Sequence, residues 1–391
     1  MPPTLPRTGL RPVEVFSTED TVAQLTWRTL PAGDLSVRVG EHTITLGPAD
    51  RPGAADIGGL PPATTPELTV CVDRRPVATL EVTTEPSLDG PPLSRIATIS
   101  DLHMGEQGFG LVKPIRDRSG HDTGYPLRCA RAAVREATDW GAELLVIKGD
   151  ITDAGRPEEW AMFDELLDHI EIPVLAVPGN HDTVGRRRSL DAATELRSRG
   201  LFPDDVHHVD IDGARVVLAD STVPKRSFGR IGHRLDELDR AVDTDRPALV
   251  FLHHHLEPSA VPRIWPLGVP RHHAHHTLDH LLTVNPDLLV SSGHTHRNRA
   301  RRHAGALITE VSSTKDHPGV WAGYVVHATG VRQVLRRVAS HDCIAWTDRT
   351  HAAVGGIWGR WSPGGIADRS VTHRWTGRRI VPDPVAAVRT R

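Results

Sequence analysis

Cysteine is scarce in this chain: Cys71, Cys129 and Cys343 are an odd number, spread across 391 residues. They suit neither a disulfide framework nor a zinc knuckle, so a reducing compartment is expected. Net charge is nearly absent as well. Lys+Arg 46 against Asp+Glu 49 leaves −3 at pH 7, too small an imbalance for bulk attraction to nucleic acid or an anionic membrane. No apolar run reaches the length of a membrane span. The opening residues Met1–Arg7 lack the apolar stretch of a signal peptide, so a soluble, cytoplasmic chain is expected. Lysine is confined to Lys113, Lys148, Lys225 and Lys315, a compositional bias without mechanistic weight. What is plentiful is histidine, at 24 residues, beside a hydrophobic content of 38%. That content can bury a core, and the length suits two domains, or two plus an appendage.

The first ninety residues alternate apolar and polar positions over Val22–Thr29, Leu35–Val39, Leu68–Val72 and Val77–Thr84. Period-two alternation broken by Pro and Gly predicts short antiparallel strands with one wet face. Trp27 early in this run and Gly59–Thr64 before a later strand resemble a fibronectin type III-like β-sandwich, here residues 1–92. Gly90–Pro92 reads as the linker.

From Arg95 the pattern changes. Short apolar strands Ile96–Ser100, Leu144–Lys148, Val174–Pro178, Val216–Ala219, Ala248–Leu252 and Leu288–Ser292 each run into polar residues. Helical stretches such as Arg128–Trp140 and Glu158–His169 lie between them. Alternating buried strands and helices predict an α/β layered domain over 93–338, with its chemistry at the carboxyl ends of the strands. Residues 339–391 form a Gly- and Trp-rich extension. Trp346, Trp358, Trp361 and Trp375 would be costly in a free tail, so this segment is expected to fold back, with a short β element.

Asp101 and His103 close the first of these strands. Residues i and i+2 of a strand point to one side, so carboxylate and imidazole can grip one ion together. Asp150 ends the second strand behind Gly149. Asn180, His181 and Asp182 end the third, His253 a later one, and His294 and His296 the last. Carboxylate, amide oxygen and imidazole together suit two hard-to-borderline divalent ions. Two ions roughly 3.5–4 Å apart can clamp the attacking and leaving oxygens of an in-line phosphoryl displacement.

The order Asp-x-His, Gly-Asp, Gly-Asn-His-Asp, His, Gly-His-x-His resembles the calcineurin-like metallophosphoesterase superfamily over residues 95–335. The resemblance implies two packed β-sheets flanked by helices and a dinuclear centre of Mn, Fe or Zn. It places Asp101, His103 and His296 on the first ion, Asn180, His253 and His294 on the second, and Asp150 between them. A hydroxide bridging the two ions would attack phosphorus, and His181 would serve as the acid at the leaving oxygen. Within Leu252–Leu256 the ligand is His253 or His254, because the prolines that fix the register in relatives are missing. His255 reads as a supporting or merely compositional residue.

Purple acid phosphatases carry Tyr where this chain has Asp153. Serine/threonine phosphatases carry a phosphate-gripping Arg where it has Ala154, and Glu where it has Asp182. DNA-repair nucleases of the superfamily carry coiled-coil insertions, which are not visible here. Lys148–Asp153 and Ser313–Gly319 resemble the cyclic-nucleotide phosphodiesterase branch. This implies a hydrolase acting on a small-molecule phosphodiester, with a phosphomonoesterase or an inactive scaffold as alternatives. Arg186–Arg188 and the histidine-rich stretch Arg263–His276, read as a loop that could cap the site, are open either as substrate contacts or as plain surface. Trp265 and the tail tryptophans are open either to ring stacking or to packing.

Overall fold

The computed structural model describes residues 12–110, 113–118, 120–185, 188–258 and 266–376. The chain divides after Ser87 into two compact units. In the first, the alternating stretches form two antiparallel sheets. One contains Val13–Thr18, Ala23–Trp27 and Gly53–Ile57; the other runs in the order His42–Pro48, Asp34–Val39, Glu67–Val72, Arg75–Glu81. Their inner faces share one core that includes Leu25, Trp27, Leu35, Val37, Ile57, Leu68 and Val70. Every second residue meets that core, which is why the period of two was visible in the sequence. Trp27 is buried without an orphaned donor, because its indole N–H donates to the Arg51 carbonyl at 3.0 Å.

The second unit starts at Leu88, earlier than the Pro92 boundary read from the sequence. Leu88 is buried, Asp89 N–H bonds Thr329 Oγ1 at 3.3 Å, and Leu93 N–H bonds the Val326 carbonyl at 2.8 Å. Two six-stranded sheets form this unit. The first runs Val174–Val177, Leu144–Lys148, Ser94–Ile99, Val320–His327, Gly330–Arg337, Ser370–Arg374. The second runs Val206–Ile211, Ala214–Ala219, Ala248–Phe251, Leu288–Ser292, Ala306–Glu310, Arg299–His303. They pack face to face. Tyr324 of the first stands edge-on to Phe251 of the second (5.4 Å between centroids) and donates to Ser291 Oγ at 2.7 Å. Val174–Val177, Leu144–Lys148 and Ser94–Ile99 are mutually parallel, as are Ala248–Phe251, Leu288–Ser292 and Ala306–Glu310. Parallel strands buried on both faces explain the continuous apolar runs.

Helices cover the outside. Tyr125–Asp139 buries Leu127, Ala130, Val134 and Ala137, an i, i+3, i+7, i+10 stripe. Pro157–Leu167 opens with Pro at its first position, and Glu159 reaches back to Arg156 N–H at 3.1 Å. The stretch read as a cap loop is helix from Arg271 to Val284. It buries Ala274, Thr277, Leu278 and Leu281 on the second sheet, while His272, His273 and His276 are exposed. Residues 263–265, Trp265 among them, lie outside the described residues.

Residues 339–376 are part of this unit. Helix His341–Thr350 lays Trp346 on Tyr125, with rings stacked 3.9 Å apart. Ile357–Trp361 and Ile366–Arg369 follow, and Ser370–Arg374 completes the first sheet. Trp346, Trp358 and Trp375 are all buried. The extension is therefore mostly helical, where the sequence suggested only a β element.

Candidate metal centre

All eight predicted site residues except Asn180 and His181 follow directly on their strands' carboxyl ends, and those two follow a short turn after Val177. The backbone there is unusual. Asp101, His103, Asp150, His294 and His296 all have positive φ, between 48° and 69°. A left-handed conformation costs a non-glycine residue roughly 1–2 kcal/mol. Five such residues in one cluster mark a site whose geometry is enforced by its surroundings.

Asp150 sits at the middle. Its Oδ2 lies 3.6 Å from His103 Nε2, and its Oδ1 lies 3.3 Å from His253 Nε2. On the Oδ2 side, His103 Nε2 is 3.3 Å from His296 Nε2, which is 3.4 Å from Asp101 Oδ1. On the Oδ1 side, His253 Nε2 is 3.1 Å from Asn180 Oδ1 and 3.2 Å from His294 Nδ1. His253 is thus the ring that reaches Asp150 and Asn180. His254 turns to Ser221, whose Oγ is 3.0 Å from its Nδ1, although a His254 nitrogen also lies within 4.8 Å of His253 and His294 ligand atoms. His255 pairs with Glu257 at 3.1 Å.

The outward nitrogens fix the tautomers. His253 Nδ1–H donates to the Lys148 carbonyl at 2.8 Å, His294 Nε2–H to the Leu267 carbonyl at 2.9 Å, and His296 Nδ1–H to Asp316 Oδ2 at 2.7 Å. Their inward nitrogens are then lone pairs, facing one another and the oxygens of Asp101, Asp150 and Asn180. Acceptors converging within 3.1–3.4 Å repel unless positive charge sits among them. The residues present therefore fit cations, one on each side of Asp150.

The titration behaviour says the same. Burial works against the Asp150 carboxylate, but His253, His181 and His103 hold it well below the ordinary range. Burial works against a charged His253, yet Asp150 pushes it up to about 9. Asp316 and Asp101 likewise push His296 up to about 10 against burial. Where burial meets mainly other cations the rings go the other way. His103 is pulled down to about 4 by burial, Lys315 and His181, and His294 well down by burial, His253 and His255.

Two glycines are needed by close approach. A Cβ on Gly149, itself at φ +78°, would lie 2.7 Å from His253 Nδ1; one on Gly179 would lie 2.9 Å from Asp150 Cα. Gly149 thus makes room for an imidazole.

His181 is the open member, with its side chain 35% exposed. Its backbone N–H donates to Asp150 Oδ1 at 2.8 Å and its Nδ1–H to the Asp153 carbonyl at 3.0 Å, leaving Nε2 free. The ring stands edge-on to His103 at 4.4 Å, and one of its nitrogens also lies within 4.8 Å of His103 and Asp150 ligand atoms. Arg188 of the basic turn is exposed, and Arg186 and Arg187 lie outside the described residues.

Sequence reasoning missed several supporting groups. Asp153 lies 3.8 Å from His103 Nδ1, 3.9 Å from His181 Nδ1 and 3.1 Å from Lys113 Nζ, but had figured only as a missing tyrosine. Asp182 accepts from Gly179 N–H, Ile151 N–H, Thr152 N–H and Thr152 Oγ1 at 2.7–3.2 Å, locking the second and third strand ends together. Asp316 lay within the noted Ser313–Gly319 segment, but its partner His296 was not legible there.

Known proteins are similar over the same region. A probable cyclic nucleotide phosphodiesterase from Synechococcus sp. is 32% identical over 161 residues, covering 41% of this chain and 57% of its own. One from Rhodococcus erythropolis is 30% identical over 180 residues, covering 44% and 57%. A glycerophosphodiester phosphodiesterase from Enterobacter lignolyticus is 26% identical over 226 residues, covering 56% and 77%. The chain thus spans just over half the length of the first two relatives. The calcineurin-like phosphoesterase model matches residues 94–298, a stretch that carries every predicted ligand, and the chain belongs to that family.

Proposed function

We propose that this protein is a dinuclear metal-dependent phosphodiesterase. Asp101, His103, Asp150 and His296 hold one ion; Asp150, Asn180, His253 and His294 hold the other. The observation that carries the reading is the split of Asp150, each oxygen turned to a different group of lone pairs. Mn, Fe and Zn all accept this mixed oxygen and imidazole set. Bound there, two such ions supply Lewis acidity to phosphoryl oxygens and draw the pKa of water towards neutrality. His181 does the proton work. With Nδ1–H committed to the Asp153 carbonyl, Nε2 is the nitrogen that delivers a proton to the departing oxygen.

A diester is favoured over a monoester on charge. A monoester carries close to two negative charges at neutral pH, a diester one. The position after Asp153 is Ala154, fully buried, with its N–H given to Glu159 Oε2 at 2.8 Å and its carbonyl to Ser189 at 2.6 Å. No arginine can be accommodated there to balance a second charge. The relatives' names, cyclic nucleotide and glycerophosphodiester phosphodiesterases, support a small diester substrate. Among the described residues no helix is long and apolar enough to cross a membrane. Three buried free thiols support a reducing, cytoplasmic setting.

Hydrolysis of bis-p-nitrophenyl phosphate against p-nitrophenyl phosphate with added Mn²⁺ tests the reading. Faster turnover of the diester is expected. Preference for the monoester would make the protein a phosphomonoesterase, and turnover of neither would make it a scaffold.

A further inference from the structure

The segment between Ala306–Glu310 and Val320–His327 crosses from one sheet to the other and passes behind the first ion site. Its side chains grip that site from the outside. Ser312 Oγ donates to the His296 carbonyl and Ser313 Oγ to the Asp101 carbonyl, both at 2.8 Å. These are two of the left-handed residues, at φ 49° and 55°. Asp316, fully buried, takes the His296 Nδ1–H on Oδ2 at 2.7 Å. Its other oxygen accepts from the Trp358 indole N–H at 3.3 Å. Lys315 Nζ lies 3.5 Å from Asp316 Oδ2 and 2.6 Å from Glu106 Oε2, and Tyr125 OH donates to Glu106 at 2.7 Å. Trp346 of the extension donates to the Lys315 carbonyl at 2.6 Å. The second ion site is oriented differently, since His253 and His294 donate to backbone carbonyls.

We infer that Asp316 is a positioning residue for the first ion site only, and that through Trp358 and Trp346 the C-terminal extension is a working part of that site. The inference rests on the metal-centre reading above. A carboxylate behind a ligating histidine fixes the tautomer, aims the ring and raises its basicity, and losing such a partner typically weakens metal binding roughly 10–100-fold. The backbone carbonyls behind His253 and His294 belong to Lys148 and Leu267, away from this segment, so they stay in place when Asp316 changes.

The experiment is titration of the metal-free full-length protein with Co²⁺, followed by calorimetry and by the ligand-field absorption of each site. Wild type takes up two ions. Asp316→Asn keeps the shape but removes the charge; it should bind one ion as wild type does and the other about 10–100-fold more weakly. Trp358→Phe removes only the indole N–H and should weaken the same site by a smaller factor. Equal weakening of both sites, or no change at either, would overturn the inference. If Asp316→Asn fails to fold, Trp358→Phe decides alone by the same criterion. A wild-type chain that binds two ions but cleaves no diester overturns the proposed activity and leaves this inference standing.

Discussion

Replacing Gly179 by alanine should disable the centre without touching a ligand. The added Cβ would stand 2.9 Å from Asp150 Cα, and nearer still to its amide nitrogen and Oδ1. Carbon atoms in contact sit roughly 3.5–4.0 Å apart, so about 0.6–1 Å of displacement is required. The two backbones cannot share it freely, because the Asp182 carboxylate ties Gly179 N–H at 2.8 Å to Thr152 N–H at 2.8 Å. The shift therefore falls on the Asp150 carboxylate, which must leave His181 N–H (2.8 Å) and its approach to His253 Nε2 (3.3 Å). A misplacement near 1 Å typically costs about 10²-fold in rate, and overpacking costs about 1–3 kcal/mol of stability. Activity on bis-p-nitrophenyl phosphate, metal content by elemental analysis and thermal unfolding would read the three effects. Gly58→Ala, where a Cβ meets nothing within 4 Å, is the control. If Gly179→Ala keeps two ions and stays within threefold of wild type, the enforced approach of the strand ends is not what holds Asp150.

Two further outcomes are expected. His181→Ala should keep both ions and lose about 10² to 10⁴ in rate, most on poor alkoxide leaving groups and least on p-nitrophenolate; equal losses would make His181 a binding residue, and loss of an ion would make it a ligand. His373 accepts from Arg302 Nη1 at 2.9 Å, and burial with Arg302 pulls its pKa from 6.5 down to about 4. The folded state favours the neutral ring, so its contribution to stability is full above about pH 6.5 and is lost as pH falls towards 4. Amide exchange across Ser370–Arg374 should rise in that window and much less so in His373→Gln; identical profiles would refute the assignment.

The parts of this protein that the sequence determined are those set by short range. Asp101 and His103 share a strand end two residues apart, and each buried parallel strand announces its carboxyl end by a run of apolar residues. The all-β region, the α/β domain and the ligand types were legible for that reason. Only the tertiary structure decided the rest. Neighbouring His253 and His254 leave the strand in different directions, and just the packed sheets show which reaches Asp150. The helix Arg271–Val284 was hidden because six polar or charged residues on its exposed side, four of them histidines, outweighed its narrow buried stripe. The 20 residues between His296 and Asp316, and the 42 between Asp316 and Trp358, carry no pattern that joins them. Local sequence dictates which face of a strand or helix is apolar. The meeting of side chains from different elements depends on how two whole sheets pack, and that is a property of every residue between them.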